Sequence, residues 1–404
     1  MWFTGIDWAD THHDILILEE SGRQLTSFRV AHTPKGLTEL TSRLEAVCGS
    51  HNKAAMACII ETNHGLLITT LLEAGFAVYP VNPKTVDRKR SASGAKTDKI
   101  DAYLLAKHGR SELADLRRLE PDSPVVAELK ALTRDQDHLI RSQTRLVNQL
   151  TACLKAYYPI ALSLFYKVQQ RSTLRFLQAF PTPQEAMAAT PQQIAAVLQT
   201  AGYPKAEQAG TKIVEQLHQP HLIADAITTR TKARLLLALI RQLLPVMEEI
   251  AAYDKEIERL FLTHADSHIF SHLPRAGKRL APRLLAEFGD DRQRYQNTAS
   301  LQALAGTSPV PYESGNYAKP HRRYACIKPL RNALQQFAWQ STQTEPWAMT
   351  YYERKRREGK SHSVAVRALA NVWVRILFAI WLKREEYQPA VFEQARREHA
   401  PRAA

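Results

Sequence analysis

The 404-residue chain has only four cysteines, Cys48, Cys58, Cys153 and Cys326, and no two of them form a CxxC pair. That scarcity excludes a disulfide framework and a thiolate zinc site. Reduced thiols in a cytoplasmic protein are the expectation. No run of about 18 apolar residues occurs, so no membrane-spanning helix is expected. The N-terminus, MWFTGIDWAD, carries acids where a secretion signal needs a basic stretch and then an apolar one. Low-complexity tracts and internal repeats are also missing. Acids are in deficit: 40 Asp and Glu face 54 Lys and Arg, a net charge of +14. Such a surplus suits a polyanion, because neutralising phosphates releases counterions and drives association. A membrane surface would call for an amphipathic helix with a clean basic face and an aromatic opposite face, and none is apparent. Nucleic acid is the expected partner.

With 45% hydrophobic residues the chain can bury substantial cores, and its length predicts two or three domains. The first ~110 residues alternate strand and helix. FTGIDW (3–8), HDILILEE (13–20) and QLTSFRVAHT (24–33) predict a three-stranded meander. A helix follows over GLTELTSRLEAV, opened by Pro34, then a buried strand over AAMACIIE (54–61), a helix ended by Gly75, and a strand over AVYPVN (77–82). This order is α/β, an antiparallel meander feeding parallel strands. Beyond Pro121 and Pro124, apolar residues from Val125 to Cys153 recur at alternating spacings of four and three, with Gln136 and Gln143 in the seam. This predicts a long coiled-coil helix. A second run from Leu236 to Leu260, kinked at Pro245, fits its antiparallel return, although a plain helical bundle fits as well. TPQE (182–185) and TPQQ (190–193) are capping signals for short helices between them. After residue 273 helices resume, interrupted by the loop-rich 307–331.

In so basic a chain, KTDKIDAYLLA (96–106) sets Asp98 and Asp101 one helical turn apart directly after a basic run. One reading is capping: Asp98 as N-cap and Asp101 favoured by the helix dipole. The other is a shared metal ion, since residues three apart are helical neighbours. Asp7 near the end of the first strand and Glu61 ending the buried one weigh towards the second. A carboxylate closing a buried strand is costly unless paired, hydrogen-bonded or metal-bound. Sites in α/β sheets gather at strand ends. Four converging acids would suit one or two Mg²⁺ (or Mn²⁺) ions, which prefer oxygen ligands. His12 and His13, side by side at a strand start, read as surface residues.

GIDWAD, IIETNHGLL, VYPVNP and KTDKIDAYLLA resemble the N-terminal domain of the insertion-sequence transposases of the IS110 family. In that family four acids, D-E-D-D, sit on a RuvC-like RNase H fold. LLAEFGD, SLQALAGTSPVPYESG and the basic stretch after it resemble the family's C-terminal domain. The resemblance implies a RuvC-like domain over 1–120 with Asp7, Glu61, Asp98 and Asp101 as metal ligands, and a mostly helical transposase domain over 266–390. The segment 121–265 is read as a helical, coiled-coil arm and 391–404 as a tail. The family's nucleophilic serine falls at Ser314, in a Ser-Gly-Asn stretch that on its own reads as a turn. The resemblance further implies donor and target DNA as substrates, a non-coding bridge RNA that supplies sequence choice by base pairing, and a dimer or tetramer near the bacterial or archaeal nucleoid. The rival reading is a RuvC-like junction nuclease that activates water. Candidate nucleic-acid contacts are Lys96, Lys278, Arg279, Lys319, Arg322, Arg323 and Lys328. In LPRAGKRLA, Arg275 and Ala276 stand where the family has glycine and isoleucine, so the tight phosphate-binding turn of the family is not expected there.

Overall fold

The computed structural model describes residues 1–83, 97–315, 317–391 and 394. The chain divides into two compact units, Met1–Asp122 and Ser123–Ala404.

The first unit is built on a five-stranded sheet in the order β3-β2-β1-β4-β5. Its strands are β1 (Trp2–Trp8), β2 (His12–Glu19), β3 (Gln24–Ala31), β4 (Met56–Ile60) and β5 (Ala77–Pro80). β1, β2 and β3 form the antiparallel meander, while β4 joins β1 and β5 joins β4 in parallel. Strand alternation sorts the side chains between two faces. Ile6, Ile15, Ile17, Cys58, Ile60 and Val78 pack under α1 (Pro34–Cys48) and α2 (Leu66–Glu73). Phe3, Leu16, Leu18, Ala57 and Ile59 pack under α3 (Asp98–Glu112). The result is a three-layer α/β/α unit of RNase H-like type. Pro34 opens α1 as expected, with the Thr33 side chain capping it.

Two glycines bring α3 close. A Cβ on Gly5 would lie 1.9 Å from the Ala102 carbonyl oxygen, and one on Gly109 would lie 2.3 Å from Ile59 Cδ1. The helix backbone therefore rests almost directly on β1 and β4, its small residues Ala102, Ala106 and Gly109 turned to the sheet.

The second unit holds two apolar cores. One gathers the C-terminal half of α4 (Pro124–Tyr157), five short helices between 161 and 217, and the N-terminal half of α10 (Ala226–Thr263). The other gathers the opposite ends of α4 and α10 with α12 (Gly277–Phe288), α14 (Lys328–Ser341), α15 (Pro346–Arg357) and α16 (His362–Lys383). The long helices run antiparallel: Gln136 on α4 donates to the Ile250 carbonyl and to Asp254 on α10, whereas Cys153 lies against Lys232. Gln136, expected in the apolar seam, is buried there and matched to acceptors instead of apolar neighbours. Both capping boxes, Thr182 with Glu185 and Thr190 with Gln193, form.

α16 is, by length and composition, apolar enough to cross a membrane, with a mean hydropathy of 1.6 over its best window. Its Trp373, Val374, Leu377 and Trp381 are buried in the unit's own core, and both indoles are hydrogen-bonded there, Trp373 to Ser341 and Trp381 to the Gly289 carbonyl. Arg367 and Arg375 interrupt the apolar run, which is why it escapes a count of consecutive apolar residues.

Candidate active site

The site begins with register. Gly5 and Ile6 on β1 stand opposite Ile59 and Ile60 on β4, so Asp7 and Glu61 follow one step later on adjacent strands, on the α3 side. Across the other edge of β1, Asp7 pairs with Asp14 of β2, and Asp14 pairs with Arg29 of β3. Adjacent strands are about 4.8 Å apart. A row of Arg29, Asp14, Asp7 and Glu61 thus crosses four strands on one face.

The first turn of α3 adds Asp98 and Asp101. Asp98 is not the N-cap: that is Thr97, whose hydroxyl accepts from the Ile100 amide at 3.3 Å, while both acids stand in the first turn, where the helix dipole favours them. Asp98 is instead the first helical residue, its carboxylate turned to Arg29 at 3.0 Å. Asp101 precedes Ala102, the residue lying on Gly5, and this contact brings it to Asp7, two residues along the strand on the same face.

Electrostatics record the convergence. The carboxyl of Asp7 is pushed up to about 6, first by burial and then by the charges of Asp101, Asp98, Glu61 and Asp14. Crowded carboxylates resist ionisation together, and a divalent cation removes that conflict. The donors are oxygens, which suits a hard cation. Because Asp7 has its pKa raised by folding, the metal-free fold is favoured while Asp7 is protonated, and that contribution is lost as pH rises through about 6. A divalent cation bound at Asp7 would have to displace its proton, so stabilisation by such a cation, with Mg²⁺ as the probe, should be larger near pH 7.5 than near pH 5. Thermal melts at the two pH values with and without Mg²⁺ measure this, and equal shifts would refute it.

Asp14 was not among the sequence candidates. It is 3% exposed, and Arg29 donates to both its oxygens, with Nη2 at 2.6 Å. Asp14 shares one face with His12, Leu16 and Leu18, but both faces of β2 are buried, so parity alone did not single it out. Among the described residues, the group of potential ligands whose atoms all lie within 4.8 Å of one another is His12, Asp14 and Asp98. It shares only Asp98 with the four expected acids. The surface reading of the histidines is also corrected. His13 is fully buried, its Nε2 2.9 Å from His32 Nδ1, and burial lowers its pKa to about 4. His12 is half-buried beside Asp14 and Asp98.

Ser314 lies in the second unit, on a two-residue strand, β6 (Glu313–Ser314), paired with β7 (Tyr317–Ala318). The ribbon is held below by Lys319 donating to the Tyr312 carbonyl and by mutual Val310–His321 bonds. Gly315 follows Ser314 with φ +56°, and a Cβ there would meet nothing within 4 Å, so the turn reading holds at Gly315; Asn316 lies outside the described residues. Ser314 is exposed. Lys319 and Arg322 are exposed beside it in sequence, Arg323 is half-buried, and Lys328 opens α14. Arg322 lies over the ring of Tyr324, 5.3 Å from its centre, and Tyr324 is 73% exposed. Tyr312, also exposed, and Tyr324 are aromatic faces that charge counting passed over. Lys278 and Arg279 are engaged within the protein, with Glu258 at 2.7 Å and Asp254 at 2.6 Å. Lys96 lies outside the described residues. At 275 the tight turn forms without glycine: Arg275 adopts φ +60°, and its guanidinium donates to Gln343.

A carboxylate cluster at the end of an RNase H-like sheet defines a metal-dependent enzyme of the nucleic-acid-cutting class. The chain belongs to the transposases of the IS116/IS110/IS902 family. The family's DEDD transposase model matches residues 4–159, and the model described as "Transposase IS116/IS110/IS902 family" matches residues 267–353. The chain is 32% identical over 382 residues to the mini-circle putative transposase for IS117 of Streptomyces coelicolor, covering 91% of each. It is 28% identical over 396 residues to the IS900 42 kDa protein of Mycobacterium paratuberculosis, covering 96% of this chain and 97% of that one. It is 26% identical over 399 residues to the IS116 44.8 kDa protein of Streptomyces clavuligerus, covering 96% of each. It is accordingly a DNA-cutting and DNA-rejoining enzyme, and its DEDD domain implies dependence on a divalent cation.

Proposed function

We propose that the enzyme transposes its insertion sequence through a covalent phosphoserine on Ser314, assisted by Mg²⁺ held by Asp7, Glu61, Asp98 and Asp101. The observation that carries this is the crowding around Asp7, whose carboxyl is raised to about 6 by burial and four neighbouring acids. Bound Mg²⁺ would polarise the phosphodiester and stabilise the departing oxygen. Ser314 Oγ attacks phosphorus. As the P–Oγ bond forms, the P–O bond to one DNA strand breaks, the serine proton passes to solvent and the released strand end becomes a hydroxyl. Rejoining reverses this: a DNA hydroxyl attacks the phosphoserine and regenerates Ser314. A serine hydroxyl is a weak nucleophile unaided, hence the need for the acids. The residues 1–120, 121–265 and 266–390 serve as RuvC-like domain, coiled-coil arm and transposase domain.

Donor and target DNA are the substrates, and a bridge RNA supplies sequence choice by pairing, leaving the protein to hold backbone and shape. Lys319, Arg322, Arg323, Lys328 and Lys96 contact phosphates, as do Lys278 and Arg279 if they exchange their acidic partners. The net charge of +14 supports this. The assembly is a dimer or tetramer acting at the nucleoid in the cytoplasm, because strand exchange needs several concerted cuts.

Asp7→Asn tests the metal half of the reading. Strand cleavage should fall by about 10³-fold or more, a loss of about 4 kcal/mol of transition-state stabilisation, while filter-bound RNA and DNA stay at wild-type levels. Retained cleavage, or lost binding, would count against it.

A further inference from the structure

Arg29 occupies an unusual place. It projects from the edge strand β3 directly opposite Asp14, and its guanidinium reaches two elements at once. Nη2 is 2.6 Å from Asp14 Oδ2 and 3.0 Å from Asp98 Oδ2, and Nε is 3.0 Å from Asp14 Oδ2. The same two carboxylate oxygens lie 3.8 and 3.7 Å from His12 Nε2. Three potential ligands, one imidazole and two carboxylates, converge within 4.8 Å, a spacing compatible with one coordination sphere, and a guanidinium already bridges the two carboxylates. Asp14 is almost wholly buried, so it needs a permanent counter-charge. Sheet register supplies one.

We propose that Arg29 is a resident cation that takes the place of a second metal ion, so that the acid cluster binds one divalent ion per chain. That ion is held on the side of Asp7, Glu61 and Asp101, with Asp98 shared between it and Arg29. This rests on the reading of the cluster as the metal site. A guanidinium is always charged in a protein, and paired with Asp14 it offers no open coordination position for water. The His12–Asp14–Asp98 corner is therefore already supplied with a fixed cation, which ties the start of α3 to β2 through both carboxylates. The chemistry is left to the other side of the row.

Mn²⁺ binding to the full chain, followed by equilibrium dialysis and electron paramagnetic resonance, tests it. Wild type should bind one ion per chain in this cluster, with no ¹⁴N coupling from an imidazole. Arg29→Gln should bind two, and the second should vanish when His12→Ala is added. Two ions in wild type, or imidazole coupling to its single ion, overturns the proposal while leaving the metal reading intact. A folded Arg29→Gln chain that still binds one ion also overturns it. Should Arg29→Gln fail to fold, the wild-type stoichiometry and imidazole coupling still decide. No ion in wild type removes both readings.

Discussion

Alanine at position 5 is expected to destabilise the first unit by about 3 kcal/mol or more, and to weaken Mn²⁺ binding at least tenfold. The added methyl would meet the Ala102 carbonyl oxygen at 1.9 Å and the Ala106 amide nitrogen at 2.5 Å. Both are backbone atoms inside α3, so no rotamer change relieves the clash and the helix as a whole must retreat. Overpacking usually costs about 1–3 kcal/mol where side chains can yield. Here they cannot, which puts the cost at or above the top of that range. The retreat matters beyond stability because Asp101 precedes Ala102 and Asp98 begins the same helix. Moving α3 off β1 draws both acids from Asp7. The expected signature is therefore double: a lower urea midpoint with unchanged slope, and a weaker metal isotherm measured below that midpoint. A variant with a wild-type midpoint and isotherm would show that the close approach of α3 is not what assembles the cluster.

Much of this was readable from residue order. The meander, the buried strand ending at Glu61, and the helix opening at Asp98 follow from period-two and period-3.6 patterns, and the structure has each within a few residues. What was not readable depends on register. That Asp14 completes the row follows from its pairing with Asp7 across β1 and β2, and a one-residue slip would turn it to the opposite face. His13 shows the same limit. Its neighbour His12 points to the acids while His13 faces the α1 side, and no local feature says which parity is buried. Thr97 displaced Asp98 as the cap because either residue can serve, and only the backbone conformation at 97 decides. Arg275 in a left-handed turn breaks the local preference for glycine; its bond to Gln343, 68 residues away, is a tertiary compensation that no short window contains.

The serine is where chemistry and rival part company, and Ser314→Ala should separate them completely. The substitution removes one hydroxyl from an exposed two-residue strand, so stability should change by less than about 0.5 kcal/mol. Any loss of activity then reflects chemistry. If Oγ forms the covalent link, the variant makes no protein–DNA adduct and recombination falls by about 10⁴-fold or more, because no other group can substitute as nucleophile without changing the product. A junction nuclease that activates water behaves oppositely: its cleavage depends on Asp7 and its neighbours and is indifferent to position 314. Trapping the reaction on a nicked DNA duplex, then digesting with protease, reads both outcomes in one gel. Wild type leaves a peptide on a strand end, and Ser314→Ala leaves uncut DNA. Cut DNA with free ends in the variant would transfer the nucleophile's role to water. The acids would remain the catalytic centre, and the Glu313–Ser314 ribbon would be left as a binding element.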